Sequence, residues 1–167
     1  PFNLQNGYNQ YSKGQWAPSL KYYKGKFYLH FIAFNHDKFA DGGDFLLTAT
    51  DPEGEWKMQK VNGFYYDSGL LFDEATGRRF VVAGINDIRV TELDENFNAI
   101  SSNKQVINKP DAGLEGSHMY HIGDYYYIYA TYGGGYDRSQ TIFRSKNPFG
   151  PYGEHEGRLF EKQNMHQ

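Results

Sequence analysis

The 167-residue sequence contains no cysteine, which excludes a disulfide framework, thiol chemistry and a thiolate zinc site. It contains no block of like charge. Its 17 Lys+Arg stand against 20 Asp+Glu, a formal net charge of -3, which argues against a nucleic-acid partner or an acidic tail. Long hydrophobic runs are also missing. The most apolar stretches, such as Tyr125 to Tyr132, are strand-sized and fall short of the roughly 18 to 20 residues a membrane-crossing helix needs, so no membrane partner is expected. The first residue is Pro1 rather than Met, and no succession of charged, apolar and cleavage-site residues follows it. A signal peptide is therefore expected upstream or not at all.

What is abundant is aromatic residues and glycine. With 15 Tyr, 13 Phe, 2 Trp and 19 Gly, the composition predicts an all-β chain of short strands joined by tight turns. The length suits one core, or part of one.

Three segments repeat. Trp16-Ala17-Pro18-Ser19-Leu20-Lys21-Tyr22 leads through Lys24-Gly25-Lys26 into Phe27 to Phe34, and Asp67-Ser68-Gly69-Leu70-Leu71-Phe72-Asp73 leads through Ala75-Thr76-Gly77 into Arg79 to Ile85. The third copy, Glu115-Gly116-Ser117-His118-Met119-Tyr120-His121, passes through Gly123-Asp124 into Tyr125 to Tyr132. Trp16, Asp67 and Glu115 lie 51 and 48 residues apart, the spacing of one four-stranded blade per repeat in a β-propeller. A second landmark keeps the same phase: Asp51-Pro52-Glu53-Gly54-Glu55-Trp56 and Asn147-Pro148-Phe149-Gly150-Pro151-Tyr152 share the pattern D/N-P-x-G-x-aromatic. Between them Asp94-Glu95-Asn96-Phe97 occupies the corresponding turn.

The repeats predict blades over about 16–62, 67–108 and 115–160, three blades of an incomplete propeller. Closed propellers have four to eight blades, so the exposed edges and faces point to association with missing blades or with another copy.

Innermost strands of a propeller line its central channel, so Trp16, Asp67 and Glu115, at equivalent strand starts, are expected to converge at one end. Two carboxylates beside an aromatic platform are the groups that cleavage of a sugar linkage uses. A longer acid with a proton affinity raised by burial and by its neighbour donates the proton, which suits Glu115. The shorter Asp67 tunes it, and Trp16 packs against the sugar ring.

These motifs resemble glycoside hydrolase family 43, the five-bladed propeller enzymes that include arabinofuranosidases, xylosidases and arabinanases. The resemblance rests on Trp16-Ala17-Pro18-Ser19, Asp67 to Asp73, Gly113 to Tyr120, and Ser145 to Tyr152. It implies inverting hydrolysis of arabinose- or xylose-containing plant-wall glycans, with Glu115 as general acid, Asp67 as the residue tuning it, and Trp16 in contact with an oligosaccharide or polysaccharide substrate. It also implies that the general base, an aspartate opening the first blade, has no counterpart in this sequence, so that an isolated fragment would be inactive. His118 is expected to line the channel. Met165-His166-Gln167 is similar to the entry to a fifth blade, where a histidine contacts substrate, water or a structural calcium ion; the reaction itself is expected to need no cofactor or metal. The polymeric substrate class implies an extracellular or periplasmic home.

Ser68 departs from the family, which more often has proline there, and such a change alters local backbone geometry. His118 and His121 fall on opposite faces of a strand and make a poor metal pair. Asp37 to Asp44 reads as a solvated loop rather than a calcium site, Gly133-Gly134-Gly135 as a wide turn, and Arg144 as an ion-pairing strand residue. Two readings of other kinds stay open: a non-catalytic carbohydrate-binding propeller, and a related fructan hydrolase, whose usual Glu-Cys pair is absent after Glu115.

Overall fold

The computed structural model describes residues 14–35, 38–133, 138–157 and 159–163. It is all-β, as the composition predicts. The first sheet runs in order through β1 (Gln15–Tyr23), β2 (Lys26–Asn35), β3 (Lys38–Ala49) and β4 (Lys57–Val61), each antiparallel to the last. The second repeats the meander with β5 (Gly69–Phe72), β6 (Arg79–Ala83), β7 (Asp87–Leu93) and β8 (Lys104–Asn108). The third comprises β9 (Glu115–Ile122), β10 (Tyr125–Tyr132), β11 (Arg138–Ser145) and β12 (Gly153–Glu154), with β13 (Phe160–Gln163) also paired to β11. The sheets stack in sequence, β1 beside β5 and β5 beside β9, so their first strands are the innermost: this is the blade arrangement of a propeller.

Alternation along the strands builds the contacts between blades. Leu46, Val61, Tyr65, Leu70, Val81 and Leu93 form one buried cluster between the first and second sheets. Phe80, Val82, Ile88, Leu114, Met119, Ile128 and Phe143 form another between the second and third. Side chains of the opposite parity stand on the outer faces: Leu20, Tyr22 and Met58 are more than half exposed on the first sheet, as is Ile122 on the third.

The rim turns show the repeat most directly. In each, an Asp or Asn caps its own turn, because its side-chain oxygen accepts an N–H two residues on while its carbonyl accepts one three residues on. Asp51 holds Glu53 at 3.0 Å and Gly54 at 3.1 Å; Asp94 holds Asn96 at 2.8 Å and Phe97 at 3.2 Å; Asn147 holds Phe149 at 2.9 Å and Gly150 at 2.9 Å. In the two proline copies the aromatic also folds back: Trp56 Nε1 donates to the Pro52 carbonyl and Tyr152 Oη to the Pro148 carbonyl, both at 3.1 Å.

The stretch read as a solvated loop is corrected. From Lys38 onward it belongs to β3, and Asp44 is fully buried. The strand was hidden there by Gly42-Gly43 and by Asp41 and Asp44, residue types that ordinarily mark turns. Asp37, Gly134, Gly135 and His166 lie outside the described residues.

Candidate active site

Each inner strand enters through a residue with positive φ: Ala17 at 41°, Asp67 at 47° and Gly116 at 65°. The turn at Asp67 is followed by Gly69, where β5 runs close against β9. A Cβ there would lie 2.5 Å from the Ser117 carbonyl oxygen and 2.9 Å from the His118 Cα, so only glycine lets the two strands meet. Glu115 is set by its predecessor. The Leu114 N–H donates to Asn86 Oδ1 at 3.0 Å while the Leu114 carbonyl accepts the Asn86 N–H at 2.8 Å, fixing the strand start against the second sheet.

The result brings together two acids distant in sequence. Asp67 is 5% exposed and Glu115 8%. Burial first, and the negative charge of Glu115 second, push the Asp67 carboxyl up to about 6, against the opposing pull of Arg138 and of the Gly116 N–H. This is the behaviour of two carboxylates sharing one site, where the first proton belongs to the pair. From the sequence this rise is expected of Glu115; in the structure it is found at Asp67.

Two further residues complete the cluster, and sequence reasoning missed both. Arg138, at the start of β11, reaches in so that Nη2 stands 3.7 Å from Glu115 Oε1, with both side chains largely buried. No sequence signal marked it, because β11 is the third strand out from the channel. Strand register brings it in: Thr131 pairs with both Glu115 and Gln140, which puts the beginnings of β9 and β11 at one end of the sheet. Tyr66 adjoins Asp67, and burial together with the charges of Asp67 and Glu115 pushes its phenol up to about 12. Its position beside Asp67 was the available clue.

Trp16 lies next to this group. Its ring meets Tyr66 edge-on at 6.3 Å and Phe34 at 5.0 Å, so an aromatic wall runs from the first sheet to the acids. His118 sits farther along β9, half-buried, where burial and then the charge of Lys21 lower its pKa. Lys21 itself extends from β1 to place Nζ 4.8 Å from the Tyr120 ring centre. Arg144, expected to pair with a carboxylate, lies over the Tyr125 ring at 5.1 Å.

The far ends of β5 and β9 form a different cluster. There Asp73 Oδ1 lies 2.8 Å from His121 Nδ1, while Asp73 Oδ2 accepts from Tyr126 Oη at 2.8 Å and from Thr76 Oγ1 at 2.6 Å. A shallow pocket opens beside it, lined by Leu71, Phe72 and Ala75 among others. Every Asp73 oxygen is engaged, which makes the cluster a clamp between sheets. Among the described residues no group of three or more His, Asp or Glu side chains is arranged to hold a metal ion.

The comparisons with known proteins agree with this fold. The chain is 34% identical over 155 residues to a non-reducing end α-L-arabinofuranosidase of Bacteroides ovatus, covering 87% of this chain and 28% of that protein. It is 32% identical over 168 residues to a β-xylosidase of Bacillus subtilis, covering 88% and 30%. A xylan β-1,4-xylosidase structure from Bacillus halodurans superimposes with a TM-score of 0.75 at 28% identity, over 86% of this chain and 30% of that one. An endo-arabinanase structure from Bacillus licheniformis shares the fold, with a TM-score of 0.74 at 21% identity over 91% and 59%. The chain thus spans about 30% of the length of the first two relatives. The family model of glycosyl hydrolases family 43 matches residues 1–167, and the chain belongs to that family.

Proposed function

We propose that this chain carries the proton donor and its tuning aspartate for inverting hydrolysis of arabinose- or xylose-containing plant-wall glycans, an activity of the α-L-arabinofuranosidase or β-xylosidase type. The observation that supports the reading most is the buried meeting of Asp67 and Glu115, where burial and then the charge of Glu115 raise the proton affinity of Asp67. Glu115 protonates the departing glycosidic oxygen, Asp67 keeps a proton available and orients the acid, and the Trp16 face receives the sugar ring. The family's base, which activates water on the opposite ring face about 6.5 to 9.5 Å away, has no match in this sequence. A polymeric substrate of this kind places the protein outside the cytoplasm.

The test uses the full-length protein. Glu115→Gln is expected to slow cleavage of an unactivated arabinoside or xyloside by about a hundredfold to ten-thousandfold. The variant should retain sugar binding and should still cleave a dinitrophenyl glycoside, whose leaving group needs no proton. Unchanged turnover of the unactivated glycoside removes Glu115 from the acid role.

The contact between Arg138 and Glu115 favours a second reading, a carbohydrate-binding propeller, because a carboxylate beside a guanidinium can serve as a hydrogen-bonding pair for sugar hydroxyls instead of as a proton donor. Sugar binding by the parent protein with no cleavage of any of these glycosides would establish it.

A further inference from the structure

The segment carrying Asp67 is held from one side by the first sheet. Asp44 Oδ2 accepts the Tyr65 N–H at 3.1 Å, and Ser19 Oγ accepts the Leu70 N–H at 3.0 Å. Between these two bonds His30 Nδ1 stands 2.7 Å from Ser68 Oγ, and His30 Nε2 stands 3.3 Å from Asp44 Oδ1. Asp44, His30 and Ser68 are 0%, 1% and 4% exposed. The His30 ring thus stands between the Ser68 hydroxyl, within hydrogen-bond distance of Nδ1, and the Asp44 carboxyl, which faces Nε2 in an electrostatic contact rather than a hydrogen bond.

An acid, an imidazole and a hydroxyl in that order match the groups of a nucleophilic triad. Burial excludes that role, since the hydroxyl has no access to a substrate. Nor does the hydrolysis proposed above use them. Burying three such groups against Leu46 and Leu70 is costly unless each is partnered, so their retention calls for a reason other than packing.

The reason lies one residue away. Asp67 has a φ of 47°, a conformation that residues other than glycine hold only where their surroundings impose it. Tyr65, Ser68 and Leu70 flank it, and all three are tied to the first sheet. Proline at position 68 would push Asp67 out of this conformation and would bring no hydroxyl, so serine and a left-handed Asp67 belong together.

We propose that the buried chain Asp44–His30–Ser68 is a positioning device that holds the left-handed turn at Asp67 and thereby aims its carboxyl at Glu115. Its consequence for turnover rests on the functional reading above; its consequence for Asp67 does not. The experiment compares Ser68→Ala, Ser68→Thr and His30→Asn in the full-length protein. NMR of labelled aspartate carboxyls follows the titration of Asp67, which lies at about 6 in the parent. In Ser68→Ala and His30→Asn the midpoint is expected to fall by about one unit as the carboxyl turns away from Glu115, whereas Ser68→Thr, which keeps the hydroxyl, holds the parent value. In the same two variants kcat is expected to fall by about tenfold to a hundredfold with KM little changed. A parent that cleaves no glycoside defeats the functional reading while the titration still decides this one. Parent midpoints in both Ser68→Ala and His30→Asn overturn the proposal, and so does failure of Ser68→Ala to fold, since loss of one oxygen would then mark a purely structural bond.

Discussion

Asp67 and Asp73 stand at opposite ends of the same short strand, six residues apart, and both are almost completely buried. One carboxyl is pushed up to about 6 and the other is held at about 2. Burial raises both. At Asp73 it is outweighed by hydrogen bonds from His121, Thr76 and Tyr126, whereas at Asp67 it is reinforced by a second carboxylate. Two similar residues thus stand in opposite settings: Asp73 joins the second sheet to the third, while the charge of Asp67 is disfavoured where it lies.

Predictions that break or sharpen this contrast apply to the full-length protein. The largest effect is expected from Gly69→Ala, whose new methyl meets backbone atoms of β9 that cannot step aside. It should cost about 3 kcal/mol in chemical denaturation and lower turnover by separating Asp67 from Glu115, with the Asp73 end left intact.

Asp67→Asn should do the reverse for stability. A carboxyl with a folded pKa raised to about 6 contributes stability below its unfolded value and loses it as pH rises through about 6. At pH 7 the substitution is therefore expected to stabilise by as much as about 3 kcal/mol while abolishing cleavage. Equal stability of the two proteins at pH 7 would contradict the repulsion between the acids.

Asp73→Asn should cost about 2 kcal/mol at pH 7. Here the folded pKa is depressed, so the stability is present above the ordinary carboxylate value and disappears as pH falls through about 2. Urea curves at pH 7 and pH 3 should show the parent's advantage shrinking in acid.

The smallest effect is expected at Arg138. Its guanidinium opposes the rise at Asp67, so Arg138→Gln should move the Asp67 midpoint further above 6, by roughly half a unit to one unit in a carboxyl NMR titration.

Much of this architecture was legible in the residues alone, for reasons the structure makes plain. The D/N-P-x-G-x-aromatic copies stand out because their turn bonds are local, and local bonds need particular residues at fixed offsets. Trp16, Asp67 and Glu115 could be matched because each opens an inner strand. Arg138 and the Asp44–His30–Ser68 chain could not. Their partners lie 14 to 38 residues away and depend on register and sheet stacking, which no short motif encodes. Asp44 was misplaced for the same reason, since aspartate beside glycines ordinarily marks a turn and only its long-range partners explain a place inside β3.

The chain has two tryptophans, and their settings make them separate optical reporters. Trp16 touches Tyr66 beside the acids, while the Trp56 indole N–H is anchored to a rim carbonyl far from them in the fold's repeating pattern. Replacing Trp56 by phenylalanine would leave Trp16 as this chain's sole indole, so that its emission reports on the surroundings of the two acids with no label attached.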